Sequence, residues 1–113
     1  MTKAQEVVCK KFNSPYLPIA GQEMVALAVQ TIGKMPIYGV RVIKEHPDDI
    51  EWFIHCGEFS GEDDFYKPIH ASHLSEMLPA IEKYLALSQG FKFIIDDSGY
   101  EDVWQDFPEE GDL

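Results

Sequence analysis

Bases are scarce in this chain. Nine Lys and Arg stand against 20 Asp and Glu, a formal net charge of −11. That deficit excludes a broad phosphate-binding surface, because nucleic-acid backbones are held by Lys and Arg. It also argues against contact with anionic membrane surfaces. Cysteine is scarce too. Cys9 and Cys56 are far apart and no CxxC pair exists, so zinc-knuckle and redox-dithiol readings fall away. Two thiols without a framework suit a reducing compartment, although a single Cys9–Cys56 disulfide stays open. No apolar run approaches the roughly 18 residues of a membrane span. Met1–Glu6 has no apolar signal core. The expected location is cytoplasmic. G-x-S-x-G, the P-loop, G-x-G-x-x-G and H-E-x-x-H are all missing. Positive signs of an enzyme are therefore absent, and no cofactor is expected.

What is present can fill a core. Of 113 residues, 45% are hydrophobic and 12% aromatic. A chain of this length is one domain's worth, expected here over 1–113, and should bury about 65% of its unfolded surface. The acidity is uneven. Residues 1–95 hold 12 acids and 9 bases, whereas 96–113 hold 8 acids and no base. The last residues, 108–113, read as a solvated acidic tail. The preceding stretch interleaves Tyr100, Val103, Trp104 and Phe107 with its carboxylates, which a purely solvating tail would not.

The pattern predicts α+β. Residues 1–11 are ambiguous, and Asn13-Ser14-Pro15 with Pro18 marks a loop. Met24, Val25, Leu27, Ala28, Val29 and Ile32 suggest a largely buried helix over Gln22–Ile32, closed by Gly33. Ile37–Ile43 and Glu51–Cys56 read as an antiparallel hairpin across His46–Asp49. Phe65–Ile69 reads as a short strand, with Pro68 favouring an edge. Ser72 is a candidate N-cap, and Pro79 splits the following apolar pattern by opening a second helix that ends near Gln89-Gly90. Phe91–Ile95 is the clearest strand, and Tyr100–Trp104 returns after a turn. The expected sheet is mainly antiparallel, of about four to five strands, packed against two or three helices.

The chemical candidates are weak one by one. His70 and His73 could share a helix face toward a metal, but no third ligand stands at a recognisable spacing. His55 and Cys56, adjacent in a strand, should point to opposite faces. Glu58, Glu62, Asp63 and Asp64 form an acidic loop that lacks the EF-hand pattern. No metal site is predicted. Tyr100, Glu101, Asp102, Trp104 and Asp106 combine aromatic area with carboxylates, as an interface does. By period two, Tyr100, Asp102 and Trp104 share one face and Glu101 and Val103 the other. Core packing of the Trp104 ring is the expectation.

Several segments together resemble a known family. They are Phe65-Tyr66-Lys67-Pro68-Ile69-His70, His73-Leu74, Leu78–Leu87, Gly90-Phe91-Lys92-Phe93 and Tyr100-Glu101-Asp102-Val103-Trp104. With Trp52 and Cys56-Gly57-Glu58 upstream, they resemble the immunity-protein family thirty-three of bacterial polymorphic toxin systems. The resemblance spans about 37–107. Glu51 stands where that family often has glycine, and Phe91 where it often has tryptophan. The resemblance implies a small cytoplasmic protein that binds and neutralises a cognate toxin, and it supplies no catalytic residues. The resulting expectation is a non-enzymatic protein that occludes a toxin, a basic one being the best electrostatic match. Its partner-binding candidates are Glu58, Asp63, Asp64, Asp97, Tyr100, Glu101, Asp102 and Asp106. The competing readings are an acidic nucleic-acid mimic that inhibits a DNA-binding protein or nuclease, and a small metal enzyme using His70 and His73.

Overall fold

The computed structural model describes residues 3–46 and 49–106. Six strands build one mixed sheet. They are β1 Met24–Leu27, β2 Ile37–Arg41, β3 Trp52–Cys56, β4 Lys67–His70, β5 Phe91–Ile95 and β6 Glu101–Gln105. Their spatial order is β4-β1-β3-β2-β5-β6. β1 and β3 run parallel, and the other neighbours are antiparallel. Two α-helices, α1 Lys3–Lys11 and α2 Ala71–Met77, join 3-10 segments at Val29–Thr31 and Pro79–Tyr84.

The α+β class agrees with the sequence pattern, and the sheet is wider than expected. The difference lies mainly at 22–32. That stretch is not a helix: Met24–Leu27 is a strand and Val29–Thr31 a single 3-10 turn. Val25, Ala26 and Leu27 are all buried. A short strand buried on both sides shows no period, so periodicity cannot separate it from a helix. The β2–β3 hairpin pairs Ile37 with Cys56 and Arg41 with Trp52, as the alternation predicts. Asp49 closes its turn by accepting from the Glu45 and His46 N–H groups, while Pro47 and Asp48 lie outside the described residues. β4 is an edge strand, where Pro68 has no ladder bond to lose. Ser72 is not a cap. Helix α2 begins at Ala71, two residues earlier than a Ser72 cap would place it, with His70 in the N-cap position and no side-chain cap bond. Pro79 does open the next segment, but as 3-10 helix that stops at Tyr84.

One face of the sheet carries the core. Strands β2, β3 and β5 each bury every second residue, among them Ile37, Trp52, Ile54, Cys56, Phe91, Phe93 and Ile95. Val8 and Cys9 from α1, Ala71 and Leu74 from α2, and Ile81 and Tyr84 from the 3-10 segment close over them. Each large side chain fully buried here contributes about 1.5–3 kcal/mol. Cys9 and Cys56 are both free thiols, and burial pushes both up from their ordinary value. Phe93 is the hub. Its ring centroid lies 4.9 Å from Tyr84 and 5.6 Å from Trp52. It also covers Gly39, where a Cβ would sit 2.3 Å from Phe93 Cε2. Glycine at 39 is what lets that ring lie flat on the strand.

A buried ion pair fastens one end of the sheet. Arg41 and Glu51 are each 3% exposed and lie 3.0 Å apart. Arg41 Nη1 donates to the carbonyls of Leu17, Leu85 and Leu87. It thereby ties the 14–18 loop and the 85–87 segment to the end of β2. Lys44 adds a second cation 3.0 Å from Glu51. Burial raises the Glu51 carboxyl, but the Lys44 and Arg41 donors outweigh it and hold the group below its ordinary value. Glu23, facing the same cluster, is raised by burial and by Glu51.

Candidate functional site

The alternate residues of β2, β3 and β5 point to the opposite face, and the helices leave that face uncovered. It is not polar. Register places Tyr38 beside His55 and Ile94, and Val40 beside Phe53 and Lys92; Lys92 in turn pairs with Trp104. With Tyr66, these residues line a shallow concavity of about 270 Å³. All are half-buried in place. A sheet normally solvates its open face with polar side chains. An open face built of aromatics instead marks an interaction surface.

The aromatics are organised around His55. Its ring stacks on Tyr38 at 4.6 Å and an interplanar angle of 12°. Phe59 meets it edge-on at 5.8 Å. Tyr66 Oη lies 3.3 Å from Nδ1. Burial lowers the His55 pKa from its ordinary 6.5, because the charged imidazolium loses hydration there. The loop after β3 continues the surface. Phe59 packs on Phe65 at 5.3 Å, and Phe65 on Tyr66 at 4.9 Å. Phe59 remains 64% exposed, a large apolar area to hold in water.

Trp104 belongs to this face, not to the core. It is half-buried in β6 opposite Lys92. The core side of β6 is taken by Val103, opposite Phe93. The period-two assignment of faces along 101–104 therefore agrees with the register, while the choice of which face is the core is reversed.

The carboxylates separate into three groups. Strand β3 ends, β2 begins, β5 ends and β6 begins at the same end of the sheet, as the Ile37–Cys56, Ile37–Ile95 and Ile95–Glu101 pairs show. The β3–β4 loop with Glu58, Asp63 and Asp64 therefore emerges beside the β5–β6 turn with Asp97 and Tyr100. Strand spacing puts β3 and β6 about 14 Å apart. Asp102 lies at that end on the open face, opposite Ile94. These acids are exposed, and Tyr100 is 52% exposed.

Glu101 is the exception at that end. It is bonded to Lys11 at 2.7 Å and accepts from the Tyr84 hydroxyl, so it braces β6 against α1 and the 3-10 segment. Those bonds, Lys11 first, hold its carboxyl below the ordinary value. Asp106 sits at the other end of β6 and pairs with Lys92 at 3.3 Å. Phe107 and the acidic stretch 108–113 lie outside the described residues.

The remaining candidates take ordinary places. His55 and Cys56 point to opposite faces, so they form no nucleophile–base pair. The His70 and His73 rings stand 5.9 Å apart. Among the described residues no group of three or more His, Cys, Asp or Glu could hold a metal ion. No described helix is long and apolar enough to cross a membrane.

Charge alone points to the acidic end and does not mark the aromatic face beside it. A signal is present in Trp52–Cys56, where Phe53 alternates with Trp52 and Ile54 and all three are large and apolar, and in Tyr38 and Val40 of the paired strand. Only one of the two alternating sets can face the helices.

A comparison with protein-family models matches the Imm33-like domain over residues 4–106. That range takes in α1 and β1, which the sequence resemblance did not reach. No curated protein matches the chain, and neither does any solved structure. With the match running from the first helix to the end of the last strand, the chain belongs to the Imm33-like domain family.

Proposed function

We propose that this protein is a non-enzymatic immunity protein that binds a cognate bacterial toxin and occludes it, using the open face of its sheet. The observation that carries the reading is that face: a helix-free surface of Tyr38, Phe53, His55, Tyr66 and Trp104 on a domain of an immunity-like family. The family name supports the immunity theme, and the geometry supports binding as the means. Aromatic side chains offer large, rigid contact area at little entropic cost. A sheet held by its ladder presents them already in place, which lowers the cost of ordering on association. Protection must hold at low free toxin, so nanomolar affinity is required, about −12 kcal/mol.

The test is co-expression. The toxin domain encoded beside this chain's gene should kill cells alone and spare them when this chain is co-expressed. The purified pair should form a stable complex in which toxin activity is lost. Protection without a complex would contradict occlusion and indicate chemistry on the toxin or its product.

A further inference from the structure

We propose that the surface docking on the open face is a basic protein surface, oriented by a charge gradient that runs along the strands. The proposal rests on the immunity reading above and adds the chemistry of the partner and the direction in which it lies.

Size comes first. Six strands spaced about 4.8 Å apart and about five residues long give a face of roughly 500 Å². A stable interface buries about 800 Å² on each partner. The face alone is too small, so a tight partner must also cover one of its rims. The two ends of the sheet are chemically different, and that difference selects the rim.

At the end where β3 stops, Glu58, Glu62, Asp63 and Asp64 crowd the loop that also carries Phe59 and Phe65. Asp97 and Asp102 join them from the β5–β6 turn and from β6. None of these six makes an ion pair among the described residues. The nearby bases are few. Lys34 lines the same surface cleft as Glu58, Glu62 and Asp64, and Lys67 begins β4. The opposite end is more nearly balanced, with Glu45 and Asp49 as its exposed acids outside an ion pair. Asp106 answers Lys92, and Glu51 answers Arg41 and Lys44. Among the described residues, unpaired negative charge is therefore concentrated at the β3 end, six acids against Glu45 and Asp49 at the other, and it is continuous there with the exposed aromatic ring of Phe59.

A partner that brought acids there would be repelled by several carboxylates at once. One that brought Lys and Arg would exchange water for pairs at the rim while an apolar anchor settles on Tyr38, Phe53 and Trp104. Rim charges act mainly on encounter and orientation, and the apolar anchor acts on lifetime. The two parts of the surface are thus separable by kinetics.

The experiment measures association and dissociation of the full chain with the toxin domain encoded by the adjacent reading frame, across a series of salt concentrations. Asp63→Lys combined with Asp64→Lys should slow association at low salt by about 10-fold or more and flatten its salt dependence, with dissociation little changed. Phe59→Ala should speed dissociation by about 10-fold, with association little changed. Val7→Ser, on the outer side of α1 where the residue is 57% exposed, should alter neither rate. Asp97→Lys serves as the second charge variant if the double substitution melts early. Association by the charge variants as fast as wild type, or faster, overturns the proposal. So does Val7→Ser weakening the complex while Phe59→Ala does not. If wild type binds and protects while the charge variants behave like it, the immunity reading stands and only the basic partner falls. A wild-type chain that neither binds nor protects overturns both.

Discussion

Glu101 and Asp102 are adjacent acids with opposite assignments, and reversing each charge separately tests them. Glu101 faces the helices, 2.7 Å from Lys11 and bonded to the Tyr84 hydroxyl. Asp102 faces the open side and is exposed. The Lys11 pair is worth little, about 0.2–1 kcal/mol, because Lys11 is 60% exposed. The Tyr84 bond matters more. Tyr84 is 2% exposed, and leaving its hydroxyl without an acceptor costs about 1–3 kcal/mol. Glu101→Lys also sets a cation beside Lys11, so the total should reach about 2–4 kcal/mol. For a domain near 100 residues, each 1 kcal/mol moves the melting temperature by about 4–8 °C. Glu101→Lys should therefore melt at least about 8 °C lower, measured by circular dichroism. Glu101→Gln should recover part of the loss through its amide oxygen. Asp102→Lys should melt within about 2–4 °C of wild type, since exposed substitutions cost at most about 0.5 kcal/mol. Equal melting of the two lysine variants would refute the assignment of faces in β6, and with it the placing of Trp104 on the open side.

Other consequences bear on the core and on pH. Gly39→Ala must displace the Phe93 ring, because its Cβ would lie 2.3 Å from Cε2. It should cost about 1–3 kcal/mol in urea unfolding, and wild-type stability would contradict the packing. Glu51→Gln strands Arg41 in a buried site and should cost about 3–5 kcal/mol. A loss below about 1 kcal/mol would show the pair to be dispensable. Acidification should lower stability in two stages. His55 is held below its ordinary 6.5 by burial, so the unfolded chain takes up that proton first and the urea midpoint should begin to fall below about pH 6.5. Glu51 and Glu101 are held below 4.5 by their donors. Their contribution is complete above that value and is lost as pH falls through their folded pKa values, partly offset by Glu23, which is raised. A midpoint that rises between pH 7 and 5 would contradict the first stage.

How far the sequence carried the structure depended on whether a segment's period survived its surroundings. Ile37–Arg41, Trp52–Cys56 and Phe91–Ile95 are long enough to alternate, and their register follows the alternation. Met24–Leu27 is four residues buried almost throughout, which leaves no period to detect. Helix α1 was hidden for a different reason. It buries only Gln5, Val8 and Cys9 while Val7 stays exposed, so its apolar stripe is too thin to register. The carboxylates were legible as a charge cluster in the last third of the chain. Their convergence with the β3–β4 loop was not, because strand order rather than chain order brings 58–64 beside 97–102. The aromatic face has the same origin: its residues come from β2, β3, β5, β6 and the approach to β4, and no local window contains it.

The central claim is that the toxin sits on the open face, and hydroxyl-radical footprinting of the complex reads this directly. Tyr38, Phe59 and Trp104 report on the open face; Tyr16, 40% exposed, and Met77, 36% exposed, report elsewhere. Binding should cut the reactivity of Tyr38, Phe59 and Trp104 and leave Tyr16 and Met77 unchanged. Protection of Tyr16 and Met77, with Trp104 and Phe59 as reactive as in the free protein, would contradict the account.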